Sequence, residues 1–264
     1  MQIFDKLNLP EFKEGEVWLV GAGPGDPRLL TVFAIYALSK ANVVIYDALV
    51  SDEILALTDT DAILVYAGKR GGKPSHSQKN ISELVIKYAK EGYKVLRLKG
   101  GDPFIFARGA EESFTLNENK ISYRVIPGIT SSIGGMAAAS IPATSRNTNS
   151  SILFLTGHNS NGEIPDDIDW SAVSRIPVVI MYMAVKHLPV IIKKLISEGR
   201  KENEPIAIIQ DATLITQKVL ESNLGNINND IQVNNIRAPS IVVLGPVVDL
   251  RSKLIENVIK DAIT

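Results

Sequence analysis

The sequence predicts an α/β fold of two domains, and three observations support this prediction. Short runs rich in β-branched residues are apolar on both faces, as in buried parallel strands. Helical patterns lie between these runs, and this alternation is typical of βαβ units and a doubly wound sheet. The polar, turn-forming stretch PATSRNTNSS divides the runs into two groups, which gives domains at 15–142 and 148–250 with a linker at 143–147.

The first domain contains five predicted strands, at 17–21, 43–47, 62–68, 94–101 and 123–128. One helix is predicted within 29–41, because its apolar residues recur at helical spacing. A second helix is predicted in ISELVIKYAKEG, whose apolar residues share one face and whose final Gly92 is placed to end it.

The second domain contains four predicted strands, at 151–157, 178–183, 206–212 and 240–245. A helix is predicted before Gly199, where the apolar residues of LPVIIKKLI share one face. The tract NLGNINNDIQVNN is predicted to be a loop or a hairpin connection. Two α/β domains favour a ligand site in the cleft between them.

The composition excludes several kinds of site and partner. The chain has no cysteine, so disulfides, thiolate catalysis and thiolate metal sites are excluded. Its three histidines lack the i,i+4 spacing of metal ligands. The formal net charge of −1 argues against a general nucleic-acid binder but leaves room for a local basic cleft. Without a signal-peptide pattern or an apolar run of bilayer length, a cytoplasmic protein with no membrane partner is predicted.

The stretch RLKGGDPFIFAR at 97–108 follows a predicted strand and suggests a small-molecule site. Gly100 and Gly101 allow a sharp bend and a close approach of a ligand to the backbone. Asp102 adds a carboxylate, and Pro103 stiffens the segment that follows. Ligands of open α/β sheets bind outside the carboxyl ends of the strands. An ordinary tight turn is the alternative interpretation.

The glycine loop GAGPGDP at 21–27 follows the first predicted strand, and Asp47 ends the second. This spacing is close to that of a dinucleotide-binding fold, so a nicotinamide dehydrogenase is an alternative. The loop reads G-x-G-P-G, however, and Asp26 would repel a pyrophosphate. A turn that lines a pocket for a less anionic ligand is the favoured interpretation.

Several motifs, taken together and in order, resemble one family. They are VGAGPGDPRLLT, YDALVS, GKRGGKPSHSQ, RLKGGDPFIFARGAEE and PGITSSIGG, followed by TGH, MYM and APSIVVLGPVV. Across residues 15 to 250 the chain is similar to the uroporphyrinogen-III C-methyltransferases of the tetrapyrrole methylase superfamily. The resemblance implies transfer of methyl groups from S-adenosylmethionine to C2 and C7 of uroporphyrinogen III, which gives precorrin-2 for sirohaem and cobalamin synthesis. It also implies a homodimer and a cofactor held between two α/β domains.

The resemblance also implies roles for individual residues. Asp47 matches the proton acceptor and Lys69 matches the proton donor. The positions matching the cofactor site are Pro24, Gly100, Gly101, Asp102, Ile105, Thr130, Ser131, Met183 and Ala212. Because the substrate is rich in carboxylates, the cations predicted to bind it are Arg70, Arg108 and Arg146.

The chain departs from the family pattern at a few positions, and alternative functions stay open. Ser145 stands where the family commonly has histidine, and Ala48 stands where it often has arginine. Ala107 and Ala110 replace common glycines. The alternatives are a related corrin-ring methylase, the superfamily member that modifies a protein histidine in diphthamide synthesis, a nicotinamide dehydrogenase, and a cofactor-binding protein without turnover.

Overall fold

A computed structural model describes residues 2–68 and 78–257 of the chain. It divides into two compact units, Met1–Thr130 and Ser131–Thr264. Residues 143–147, predicted to be a linker, fall inside the second unit, and the domain boundaries drawn from the sequence stay a prediction. Among the described residues, no helix combines the length and the apolar character needed to cross a membrane.

The first unit is a parallel sheet with helices between its strands. The strands are β1 (Val17–Gly21), β2 (Val43–Tyr46), β3 (Ile63–Tyr66), β4 (Val95–Lys99) and β5 (Tyr123–Ile126). The helices are α1 (Gln2–Lys6), α2 (Val32–Leu38), α3 (Asp52–Leu55), α4 (Gln78–Lys90) and α5 (Gly109–Glu118). The strand order is β3-β2-β4-β1-β5, and every pair is parallel. The doubly wound α/β fold predicted from the sequence is confirmed.

Alternating side chains of the central strands fill two apolar layers, one on each face of this sheet. Val17 and Leu19 of β1 pack with residues of α4 and α5 on one face. Trp18 and Val20 point to the other face and pack with residues of α2. Trp18 also stacks on Phe12, with ring centroids 4.1 Å apart. Burial on both faces explains why β1 is apolar at every position.

The edge strand β3 differs from the prediction that residues 62–68 form a buried strand. Among the described residues its one neighbour in the sheet is β2, and its side chains are poorly covered. Ile63, Leu64 and Tyr66 are 43%, 45% and 37% exposed. The strand and its parallel pairing are observed, but the predicted burial was wrong. An apolar composition does not distinguish a central strand from an edge strand.

The second unit contains a mixed sheet. Its strands are β6 (Leu153–Thr156), β7 (Val179–Tyr182), β8 (Pro205–Gln210), β9 (Lys218–Asn223) and β10 (Ser240–Leu244). Its helices are α6 (Ser131–Ala138), α7 (Trp170–Arg175), α8 (Leu188–Ser197), α9 (Ile227–Val233) and α10 (Arg251–Leu254). The order is β6-β7-β10-β8-β9, with β6 and β7 parallel and the other pairs antiparallel. The strands β6, β7 and β8 therefore end at the same edge of this sheet.

Two elements of the second unit correct the sequence prediction. The tract at 223–235, predicted to be a loop or hairpin, contains α9. Ile227 is fully buried and Ile231 packs on the same apolar cluster, so tertiary packing overrides the poor helix propensity of asparagine. Strand β9 is not predicted at all, because KVLESN is short and largely polar. It pairs along its full length with β8.

Candidate functional site

Three loops at the carboxyl edge of the first sheet are in direct backbone contact. The loop after β1 joins the loop after β4 through two hydrogen bonds, from the Gly23 amide to the Gly101 carbonyl (3.1 Å) and from the Gly101 amide to the Gly23 carbonyl (2.7 Å). A Cβ on Gly21 would lie 2.5 Å from the Gly128 nitrogen, which belongs to the loop after β5. A Cβ on Gly128 would lie 2.3 Å from the Gly101 carbonyl oxygen. Only glycine fits these contacts.

Asp102 ties two of these loops together. Its Oδ1 accepts a hydrogen bond from the Phe104 amide at 2.8 Å. Its Oδ2 accepts one from the Gly128 amide at 3.1 Å. We name the edge formed by the loops after β1, β4 and β5 the glycine-lined edge. The carboxylate of Asp102 fixes its shape, a task that the sequence motif alone does not indicate. The contact with a cofactor that the resemblance implies stays a prediction.

All six cofactor positions predicted in the first unit lie on these three loops. Pro24 follows β1, Gly100 to Ile105 follow β4, and Thr130 follows β5. Gly101 has φ +69°, which favours glycine. The structure therefore brings these positions together at one edge, as the sequence predicts for a strand-end site.

The remaining predicted cofactor positions belong to the second unit. Ser131 begins α6, Met183 follows β7 and Ala212 follows β8, so Met183 and Ala212 lie at one edge of that sheet. Met183 has φ +53°, and Asp211 and Thr213 on either side of Ala212 have φ +49° and +68°. Left-handed backbone at residues other than glycine is uncommon and concentrates at functional sites.

A cluster of four charged side chains, three of them buried, lies beside the glycine-lined edge. From the sequence, only one of its members, Asp47, was identified. Asp47 follows β2, and its Oδ1 accepts a hydrogen bond from Arg97 Nη2 at 2.5 Å. Arg97 Nε also donates to Glu112 Oε1 at 3.1 Å. Lys99 Nζ donates to the same oxygen at 3.0 Å and lies 3.9 Å from Asp47 Oδ2. We name these residues the Asp47 cluster.

Burial and pairing set the protonation of the cations in the Asp47 cluster. The side chains of Arg97, Lys99 and Glu112 are 2%, 3% and 6% exposed, whereas that of Asp47 is 29% exposed. Burial, and then the charge of Arg97, lower the pKa of Lys99, against the attraction of the two carboxylates. Burial by itself also lowers the pKa of Arg97. The carboxylates of Asp47 and Glu112 outweigh this effect and raise the pKa above its ordinary value. Asp47 is the member of the cluster that solvent reaches.

The predicted substrate cations are in different parts of the chain. Arg108 is exposed, has φ +61° and lies 3.4 Å from Glu111 through its Nε. Arg146 is exposed in a turn of the second unit, which Asn149 closes by donating to the Ala143 carbonyl. Lys69 and Arg70 lie outside the described residues.

Comparison with known proteins identifies the family. Residues 16–228 match the sequence model of the tetrapyrrole (corrin/porphyrin) methylases. The chain is a tetrapyrrole methylase. It is 49% identical to a uroporphyrinogen-III C-methyltransferase of Sinorhizobium sp., across 93% of this chain and 88% of the relative. The crystal structure of the uroporphyrin-III C-methyl transferase of Thermus thermophilus with S-adenyl homocysteine aligns with a TM-score of 0.78 and 34% identity, over 89% of this chain and 99% of the other.

The methylase also matches longer proteins. It is 45% identical to the siroheme synthase of Methylobacillus flagellatus over 92% of its own length. It spans 52% of that relative, so it corresponds to about half of the synthase.

Asp26, which the sequence analysis places near a bound ligand, is paired within its own loop. Asp26 is 5% exposed and caps the short 3₁₀ helix Pro27–Leu29 by accepting from the Arg28 amide at 2.8 Å. Its carboxylate also pairs with Arg28 Nη2 at 2.7 Å. The hydrogen bond from the Arg28 side chain is the main cause that lowers the pKa of Asp26. Asp26 therefore supports the loop after β1.

We expect Asp26→Ala to destabilise the methylase by about 1 kcal/mol at pH 7, because it removes a helix cap. The pKa of Asp26 in the folded protein lies below its ordinary value of 3.8. Its stabilisation is thus complete above that value and is lost as the pH falls through the folded pKa. Urea unfolding from pH 7 to about pH 3 should show the difference from wild type shrinking on acidification. Asp26→Asn, which keeps a capping oxygen, is the matched control, and an equal loss at every pH would contradict the assignment.

Proposed function

We propose that this methylase is an S-adenosylmethionine-dependent C-methyltransferase that methylates C2 and C7 of uroporphyrinogen III to give precorrin-2, which feeds sirohaem or cobalamin synthesis. The observation that carries the proposal is the 49% identity to a uroporphyrinogen-III C-methyltransferase along nearly the whole chain. The Thermus thermophilus transferase with the same fold was solved with S-adenyl homocysteine, which supports the cofactor.

The glycine-lined edge suits a cofactor of this kind. The cofactor has no phosphate, so it needs backbone hydrogen-bonding groups and apolar walls rather than a cluster of cations. Gly100 and Asp102 would supply backbone groups, and Gly101, whose amide and carbonyl bind Gly23, would allow a close approach. Ile105 would supply an apolar contact and Thr130 a hydroxyl group. Pro24, Ser131, Met183 and Ala212 are the other positions that we assign to it. When bound, it supplies an electrophilic methyl group on a sulfonium.

The roles of the protein side chains follow from their chemistry and exposure. After methyl transfer the macrocycle must lose a proton, and we assign its acceptance to Asp47, the partly exposed carboxylate of the Asp47 cluster. Arg97 holds Asp47 Oδ1, so the carboxylate keeps one orientation. We assign proton donation to Lys69, and binding of the substrate carboxylates to Arg70, Arg108 and Arg146. Positioning of the macrocycle against the methyl group supplies much of the remaining rate.

The proposal includes the setting in which the enzyme works. We infer a homodimer in the cytoplasm that acts on a small-molecule tetrapyrrole, with neither nucleic acid nor membrane as partner. The sequence resemblance supports the dimer, and the net charge of −1 agrees with the absence of a nucleic-acid partner.

The test is anaerobic incubation of the protein with uroporphyrinogen III and S-adenosylmethionine, followed by mass spectrometry of the product. We expect a doubly methylated tetrapyrrole, and S-adenosylhomocysteine should raise the midpoint of thermal unfolding by binding the folded state. NADH is the control ligand and should leave the midpoint unchanged. Protection by NADH alone would favour the dehydrogenase, and protection by S-adenosylhomocysteine without methylated product would favour a binding protein or a methylase for another substrate.

A further inference from the structure

Lys99 and Glu112 form a buried ion pair to which the proposed reaction assigns no task. Their side chains are 3% and 6% exposed, and Nζ lies 3.0 Å from Oε1. Removing two charges from water costs free energy that their mutual attraction seldom exceeds, so such a pair is weak support for stability. Its position behind Asp47 suggests another purpose.

The two oxygens of Asp47 have different neighbours. Oδ1 accepts from Arg97, whose guanidinium does not release a proton at ordinary pH. Arg97 therefore leaves Oδ2 as the other oxygen of the carboxylate. Lys99 Nζ lies 3.9 Å from Oδ2. The charge of Lys99 thus lies nearest the oxygen that Arg97 does not contact.

The neighbouring strands β2 and β4 and the helix α5 hold these side chains in place. Leu98 pairs with Tyr46 across β4 and β2, and the Asp47 amide donates to the Leu98 carbonyl at 3.2 Å. Arg97 and Lys99 are two positions apart on β4, so they share one face of the sheet. Glu112 reaches both cations from α5. Lys99 is therefore held from two sides, by the strand register and by Glu112.

We infer that Lys99, anchored by Glu112, is a positioning residue that sets the pH at which Asp47 becomes able to accept the substrate proton. The inference rests on the proposed function, in which Asp47 is the proton acceptor. Glu112 has the opposite effect on Asp47, since its charge repels the ionised carboxylate while it holds the ammonium in place.

Charge balance within the Asp47 cluster makes the inference testable. In the described part of the chain, the charged groups around Lys99 are Arg97 on the same strand, Asp47 after β2 and Glu112 on α5. Two cations and two carboxylates balance when all are ionised. Burial lowers the pKa of Lys99, and the two carboxylates counteract this effect. Removing one cation makes the net charge of the cluster more negative, whereas removing one carboxylate makes it more positive.

The experiment compares the pH dependence of turnover in Lys99→Met and Glu112→Gln with that of wild type. Lys99→Met removes a positive charge near Asp47 Oδ2, so the acid limb of turnover should move up by about one pH unit or more. Glu112→Gln removes a negative charge, so the acid limb should move down. Lys99→Arg keeps the charge, so its acid limb should return close to the wild-type position. A purely structural pair would lower turnover without these opposite shifts.

The matched control is an exposed lysine–glutamate pair at the C-terminal end of α4, in which Lys87 lies on the helix and Glu91 directly follows it. Lys87 and Glu91 lie 4.0 Å apart, with side chains 64% and 45% exposed. Lys87→Met and Glu91→Gln make the same chemical changes at the surface, and neither should move the acid limb.

Several results would overturn the inference while leaving the proposed function intact. Folding of each variant is checked by its affinity for S-adenosylhomocysteine. Acid limbs that coincide with wild type, or that move in the same direction in both variants, would remove Lys99 from its role. If Lys99→Met does not fold, the test depends on Glu112→Gln. An acid limb of turnover in Glu112→Gln at or above the wild-type pH would then contradict the inference. Failure of the proposed function has a separate signature, namely wild-type protein that forms no doubly methylated product.

Discussion

Asp47→Ala is expected to slow methylation of uroporphyrinogen III by about 10²–10⁴-fold, the usual contribution of a general base. The reason is that Asp47 is the solvent-reached member of a cluster whose other three side chains are buried. Because Asp47 lies after β2 and not on the glycine-lined loops, affinity for S-adenosylhomocysteine should change little. The measurement is single-turnover methylation under anaerobic conditions, together with the ligand's dissociation constant.

Controls separate the loss of proton transfer from a loss of structure. Asp47→Asn keeps the size of the side chain and should be as inactive as Asp47→Ala. Asp61→Ala removes an exposed carboxylate in the turn before β3 and should leave turnover unchanged. Lys69→Ala tests the proposed donor in the same assay. Normal turnover in both Asp47 variants would end the assignment of Asp47 while leaving the family membership untouched.

Arg97→Met is expected to give the largest loss of stability, about 3–5 kcal/mol, because it removes one of the two cations that balance the buried Glu112 and the partly exposed Asp47. Arg97 is 2% exposed and donates to the Ile45 and Leu98 carbonyls, each at 3.2 Å, as well as to Asp47 and Glu112. Methionine fills much of the same volume, so the loss reports charge and hydrogen bonding more than a cavity. Urea unfolding at neutral pH measures it.

Two further variants make the Arg97 prediction specific. Arg28→Met removes an arginine that also pairs with an aspartate, but its side chain is 56% exposed, so its effect should be much smaller. Arg97→Met combined with Glu112→Gln should recover part of the stability, because the double variant again balances one cation, Lys99, with one carboxylate, Asp47. A loss below about 1 kcal/mol for Arg97→Met would show that the cluster is not a structural requirement.

The first sheet is largely predictable from the sequence, and the second sheet less so. Strand β1 is predicted at its observed bounds because continuous apolar residues bounded by glycine mark a buried strand. Helix α9 and strand β9 are not predicted, since their composition is polar and neither shows an apolar pattern that marks its packing against β8 or the apolar cluster. Local patterns report local preference, whereas both elements are formed by tertiary contacts.

The candidate site was predicted in part for similar reasons. The glycine loops and Asp47 stand in recognisable motifs, so the strand-end site is predictable. Arg97 and Lys99 give a signal of their own, two cations at alternate positions of an apolar strand, which should have raised the expectation of buried carboxylates. Glu112 has no such signal, because its pairing with β4 depends on how α5 packs against the sheet.

The order of strands in the first sheet has a consequence for synthesis on the ribosome. Strand β1 emerges first, but its two neighbours are β4 and β5, which are the last strands of that unit to be made. An apolar segment therefore waits without a hydrogen-bonding partner while most of the unit is translated. In nascent chains halted before β4, chaperones should bind the exposed β1. They should dissociate from β1 when β5 appears outside the exit tunnel.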